Sequence, residues 1–319
     1  MYGRMQFADY VVSWALQSLS RSLQKVGGRT GPAPTELRCS DQKALAQTAE
    51  RIFSLWQMAQ WSVSKIEFKR AQADLAAIVE LCSADRSPER EAAERLLEKA
   101  EPKARQILED LVGGLAPPAA GRDAQAHVLD RLNDLLQAES VRWRTYTPLR
   151  IIDQSELVEH GMLRAFEKSR SLSERLDGIA AEAGKQPSAK RLVRTGRWTQ
   201  HCVNHLELLR PALSEAGRTR RWHLTRLAHK LDEQWALEKL ARMLVLVDLK
   251  PKASVRLKRL IGDERKRLDK QRRKLTIGAF AGGSMAYRGE VMEAVAQLGL
   301  EAITLLPLDV PFSIEKETG

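Results

Sequence analysis

Apolar positions recur every three or four residues along nearly the whole of this 319-residue chain. That is the period of one face of a helix, not the alternation of a strand. Residues 5–25 place Val11, Ala15, Leu19 and Leu23 about a turn apart, and the run GGRTGPAP at 27–34 ends this first helix. The pattern returns from Asp41 to about Cys82 with Leu45, Ile52, Trp56, Ala59, Ile66, Leu75, Ile78 and Leu81, as two helices or one broken near Trp61. Ser87 and Pro88, followed by Glu89 and Glu91, form a helix start with acid placed to complement the dipole. That helix is expected to run to Val112, before GGLAPPAAG at 113–121, the clearest linker in the chain. Val128, Leu132, Leu135 and Leu136 then mark a helix to about Trp143.

Past a connector around Pro148, Ser155 and Glu156 open a helix to Ile179 that turns Leu163, Phe166 and Leu172 inward. Residues 188–213 form the next helix, 218–247 another with Leu224, Leu227, Leu231, Leu240 and Leu244 as its seam, and 252–275 a strongly basic one. GAFAGGSMAY at 278–287 reads as a glycine-rich break, with a last short helix at 288–299. Helices joined by short connectors stack as antiparallel neighbours. The expected fold is therefore all-α: two consecutive antiparallel helical bundles, 1–140 and 141–300, then an extended tail at 301–319. Phe166, Leu206, Leu209, Leu227 and Leu231 are expected in the second core.

Composition supports helix and adds a charge asymmetry. The chain is 43% hydrophobic but only 5% aromatic, and it is rich in the good helix formers Ala, Leu, Arg and Glu. Its net charge of +11 is unevenly spread: residues 1–140 carry 18 basic and 19 acidic side chains, residues 141–319 carry 34 and 22. Any surface for a polyanion belongs to the second half. Cys39, Cys82 and Cys202 form no CxxC pair and read as small core hydrophobes in a reducing compartment. No run of about 18 apolar residues is present and the N-terminus lacks signal-peptide features, so the expectation is a cytoplasmic protein with no membrane partner.

One stretch combines an apolar seam with a basic stripe. In SAKRLVRTGRWTQHCVNHLELLRPAL (188–213), Leu192, Thr195, Thr199, Cys202, Leu206, Leu209 and Leu213 share one face. Lys190, Arg194, Arg197, His201 and His205 share a second line of the same period. Ser188 is a suitable N-cap and Pro211 a stop. Stacked cations on one helix make a linear track, which suits an extended polyanion better than a point ligand.

Three stretches, GMLRAFEKSR (161–170), RLVRTGRWTQHCVNHLELLRPAL (191–213) and RLAHKLDEQWALEKLARML (226–244), resemble the CHAD family, the conserved histidine α-helical domain. The resemblance covers 142–290 well and the first 140 residues by layout alone. It implies two pseudo-repeated four-helix bundles whose basic face binds inorganic polyphosphate, in a protein associated with polyphosphate granules. It points to Arg197 on the central helix and to Arg164 and Arg170 on the helix before it. Where the family's central helix carries His, Glu, an apolar residue, Arg, Lys and a further Lys, this chain has Val193, Arg194, Thr195, Gly196, Arg197 and Gln200. The next helix reads Asp232, Glu233, Gln234, Trp235, Ala236, without the family's histidine.

Spacing and resemblance together give the expected phosphate-binding set: Arg164, Arg170, Lys190, Arg194, Arg197 and His201, gripping a phosphate chain from two neighbouring helices. No nucleophile elbow, P-loop or dinucleotide glycine pattern is present, and His201 with His205 lacks the remaining ligands of a metal site. The expected function is non-catalytic binding of polyphosphate or another polyanion, with neither cofactor nor metal. The alternatives are a CHAD-like scaffold or regulatory protein that binds a protein partner, and non-specific nucleic-acid binding. Against the last stand few aromatics for stacking and no recognisable DNA- or RNA-reading motif.

Overall fold

The computed structural model describes residues 7–27, 37–83, 87–115, 122–145, 156–181, 186–247 and 250–305. Among them there is no strand. The helices are α1 (Phe7–Gly27), α2 (Cys39–Met58), α3 (Lys65–Cys82), α4 (Pro88–Leu97), α5 (Pro102–Gly114) and α6 (Arg122–Thr145). After them come α7 (Arg164–Ala181), α8 (Ala189–Leu208), α9 (Glu215–Leu246), α10 (Pro251–Ala279) and α11 (Gly283–Leu305). A π-helical turn, Leu157–Leu163, leads into α7. The expected connector at Pro148 and the start at Ser155 lie outside the described residues, as do most of both glycine-rich linkers and the tail from 306 onward.

Caps explain most of the boundaries. Ser64, Ser87, Ser188 and Ser214 each accept a hydrogen bond from the third amide of the helix that follows, satisfying a donor that has no partner inside the helix. The helix expected to run unbroken from Pro88 to Val112 is interrupted at 98–101. Pro102 is the cause, because a proline disfavours helical geometry at the residue before it, and Glu101 is extended (φ −61°, ψ 155°). The break expected over 278–287 is also shorter than the composition suggests. α10 continues to Ala279 and α11 begins at Gly283, so the change of direction uses Phe280 to Gly282. Gly282 and Gly283 have φ of +70° and +68°, where any side chain would be strained. α11 continues to Leu305, so the first five residues assigned to an extended tail are helical.

The buried side chains form two clusters, and neither follows a division at residue 140. The larger takes side chains from α1, α2, α3, α6, α7, α8, α11 and the π turn, together with Leu224, Leu227 and Leu231 of α9. The smaller joins α4 and α5 to Ala236, Leu237 and Leu240 of α9 and to Leu257, Ile261 and Leu268 of α10. Helices from before and after residue 140 share each cluster, with α9 as the strut between them. α9 consequently buries polar side chains as well, Arg220, Glu233 and Gln234 among them. Phe166, Leu206, Leu209, Leu227 and Leu231 are all at most 1% exposed. Phe166 stacks on Tyr287 of α11 with centroids 4.2 Å apart, and Gly161 lets the π turn lie directly on the end of α2, where a Cβ would come 2.4 Å from the Met58 carbonyl oxygen.

Candidate functional site

α7 and α8 pack as neighbours along the seam read from the sequence. Leu192, Thr195, Thr199, Cys202, Leu206, Leu209 and Leu213 are all buried. The two threonines are tolerated because each hydroxyl finds a partner: Thr195 bonds the Arg191 carbonyl and Thr199 the Thr195 carbonyl, both at 2.9 Å. Thr199 also shares a 2.8 Å hydrogen bond with Ser169 of α7. Seating that seam against α7 fixes where the cations go.

Lys190, Arg191, Arg194 and Arg197 all point to solvent on α8, and Arg164, Lys168 and Arg175 do so on α7. None of the seven makes an ion pair among the described residues. Arg164, Lys168 and Arg175 follow one stripe at i, i+4 and i+11 spacing, a track of about 16 Å at 1.5 Å per residue. Arg175, Arg191 and Arg194 meet at a pocket of about 480 Å³ between the two helices, beside Leu172, Leu176, Ile179 and Thr195. Three guanidiniums over an apolar floor can offer planar, multidentate donors to phosphoryl oxygens.

The six side chains expected to bind together do not converge. Arg164, Lys190 and Arg194 lie on the α7–α8 face, Arg194 at the pocket itself. Arg170 is turned to the other side of α7. It pairs with Glu174 at 2.8 Å, and its Nη1 approaches the start of α11, where a Cβ on Gly283 would meet it at 3.1 Å. Arg197 faces a different groove, of about 370 Å³, walled by Phe53, Leu75, Val79, Val193 and Trp235 and carrying Glu50, Gln200 and Asp232. Asp232 keeps solvent access by surface area, yet desolvation by the groove walls pushes its carboxyl up to about 6.

His201 is buried, because α2 crosses the second half of α8 where the stripe would continue. Its Nδ1 lies 2.9 Å from Ser54 Oγ, its ring sits between Phe53 and Trp198, and desolvation lowers its pKa to about 3. It is neutral and joins helices, so it is no phosphate-binding cation. His205 is equally buried and is held at about 4, again mainly by desolvation. Its Nε2 lies 2.9 Å from the Ser54 carbonyl. A carbonyl only accepts, so Nε2 carries the proton and Nδ1 is bare, with no partner within reach. Asn204 completes the joint by donating to Ser54 Oγ at 2.8 Å.

These two rings bind protons less readily in the folded chain than their ordinary 6.5. Below pH 6.5 the unfolded chain therefore takes up more protons, and stability falls as the pH drops toward the folded values. The slope is up to about 1.4 kcal/mol per pH unit for each ring. Urea unfolding of the native chain from pH 6.5 to 5 is expected to show this loss relative to a His201→Gln, His205→Gln variant. Equal pH dependence in the two proteins would mean that neither ring is buried neutral.

Arg175 and Arg191, which line this pocket, are not among the residues expected from the sequence. The signal was available for Arg175, in the i, i+4, i+11 recurrence from Arg164 through Lys168. Arg191 lay off the stripe chosen on α8 and becomes a neighbour of Arg175 only through the packing of two helices. Among the described residues no cluster of histidine, cysteine or carboxylate side chains could hold a metal ion, and no helix is long and apolar enough to cross a membrane. The sequence matches no protein-family model, no curated protein and no solved structure.

Proposed function

We propose that this protein binds a flexible polyanion, inorganic polyphosphate first among them, and does so without turning it over. The observation that carries the reading is the convergence of Arg175, Arg191 and Arg194 on one pocket, each without an acidic partner among the described residues. Elsewhere many arginines are committed to ion pairs: Arg265 with Glu238, Arg267 with Glu264, and Arg272 with Asp177 and Asp269. Uncommitted guanidiniums need not surrender an existing partner to take a phosphate. Arg164 and Lys168 extend the pocket along α7 and Lys190 extends it on α8, so successive phosphates of one chain can be held at several points. The likeness to the CHAD family in these same helices points to the same ligand class.

A second reading is favoured by the groove at Arg197. Its apolar walls and the carboxylates of Glu50 and Asp232 suit an amphipathic protein segment better than a phosphate chain, in keeping with a scaffold built on the same skeleton.

The test is a titration of the full chain with long-chain polyphosphate over a salt series. Three or four phosphate contacts correspond to a slope of log affinity against log salt of about −2 to −3, taking the nucleic-acid coefficients as a guide. No binding at about 0.15 M salt would leave the protein-partner reading standing. Release of orthophosphate during the titration would show an enzyme instead.

A further inference from the structure

The α9–α10 hairpin runs past the helices that cover it. α4 and α5 share a core with α9 as far as Leu244 and with α10 from Leu257 onward. Val245 and Leu246, the last two residues of α9, lie beyond that core. Val245 is 76% exposed, Leu246 86%, Val255 67% and Val247 39%. A single exposed aliphatic is ordinary. Val245, Leu246 and Val247 are consecutive at and just past the end of α9, and Val255 lies in the first turns of α10. Between residues 242 and 259 the sequence has six lysines and arginines against one acid, Asp248. Lys250, Lys252, Arg256 and Arg259 are exposed and make no ion pair among the described residues.

We propose that this tip docks on an anionic lipid surface, its aliphatic side chains entering the boundary between headgroups and acyl chains while the surrounding cations meet the lipid phosphates. Exposed aliphatics interspersed along the chain with exposed cations match a surface that is anionic outside and apolar about 5–10 Å beneath. Lysine and arginine can lay their stems along the apolar layer and keep their charges at the headgroups. A second copy of the chain is the poorer occupant, because tip-to-tip pairing would bring two strongly basic surfaces together. No described helix is suited to span a bilayer, so the contact is one of lying on the surface. It uses none of the residues of the α7–α8 pocket and stands whether or not that pocket binds polyphosphate.

The experiment is flotation of the full chain with vesicles of phosphatidylcholine, with and without phosphatidylserine, at about 0.15 M salt. The native chain is expected to float with the phosphatidylserine vesicles and to remain behind with phosphatidylcholine alone. Val245→Ser, Leu246→Ser and Val255→Ser together keep every charge and should lower partitioning by about tenfold or more. Lys252→Glu with Arg256→Glu should abolish it, and should lower it far more than Arg175→Glu with Arg194→Glu, which makes the same change in net charge at the α7–α8 pocket. The proposal is overturned if the native chain does not float with phosphatidylserine, or if the serine variant floats as well as the native chain. It is overturned equally if sedimentation equilibrium finds a dimer that the serine variant converts to monomer, since the tip would then be a self-association face.

Discussion

Replacing Arg175 and Arg194 together with Glu is expected to weaken polyphosphate binding by at least about a hundredfold and to reduce its salt dependence. Each arginine can supply charge-assisted hydrogen bonds worth roughly 1.5–3 kcal/mol, and each glutamate adds repulsion. At about 1.4 kcal/mol per tenfold, losing both exceeds two orders of magnitude. The fold should not suffer, because both side chains are exposed and neither makes an ion pair among the described residues. Isothermal titration of the variant measures the effect. Arg256→Glu with Arg259→Glu is the matched control. The same change in net charge is placed about 20 Å along α10 from Arg272, the residue that contacts α7 through Asp177. That exceeds two screening lengths at physiological salt. An equal loss in the control would make the site a diffuse basic surface and not a pocket.

The largest loss of stability is expected from Arg220→Met. Arg220 is 6% exposed and fully engaged. It makes a bidentate pair with Glu290 of α11 at 2.7 and 2.8 Å, and donates to the carbonyls of Ala279 and Ala281 at 2.8 and 2.9 Å. Its guanidinium also lies 5.6 Å from the Phe166 ring centroid. One side chain thus holds the α10–α11 turn, α11 and α7 to α9. Methionine fills much of the space but leaves a half-buried carboxylate and two carbonyls without their donor, which should cost about 3–5 kcal/mol in chemical denaturation. Adding Glu290→Gln should recover part of that loss by removing the stranded charge. If the double variant is no better than the single one, the cost comes from packing around Phe166 and not from the ion pair.

How far the sequence could be read follows from the range of the interactions involved. The burial of the seam was legible to the residue, because it follows from helical period, although its last two members, Leu209 and Leu213, lie past the end of α8. Start signals at Ser87 and Ser188 were legible for the same reason: a cap acts within one turn. Sequence period could not show that α4 and α5 would pack on the far ends of α9 and α10. The partners are more than a hundred residues apart, and nothing local distinguishes a leucine of one core from a leucine of another. The binding face failed at its tertiary contacts as well. His201 shares a stripe with Lys190, Arg194 and Arg197, yet α2 covers that part of α8 and turns the histidine into a joint. Arg170 and Arg197, paired by resemblance, ended on different faces, while Arg175 and Arg191 came together through the meeting of two helices.

The most direct test of polyphosphate as the ligand is competition between long-chain polyphosphate and duplex DNA of matched total charge, at about 0.15 M salt. Both ligands gain affinity by releasing counterions, so a surface that merely attracts negative charge would hardly distinguish them. A pocket between two helices that admits a thin, flexible chain of phosphates would. The expected result is that polyphosphate displaces labelled DNA completely and that excess DNA fails to displace polyphosphate. Equal displacement in both directions, or a preference for DNA, would contradict the account.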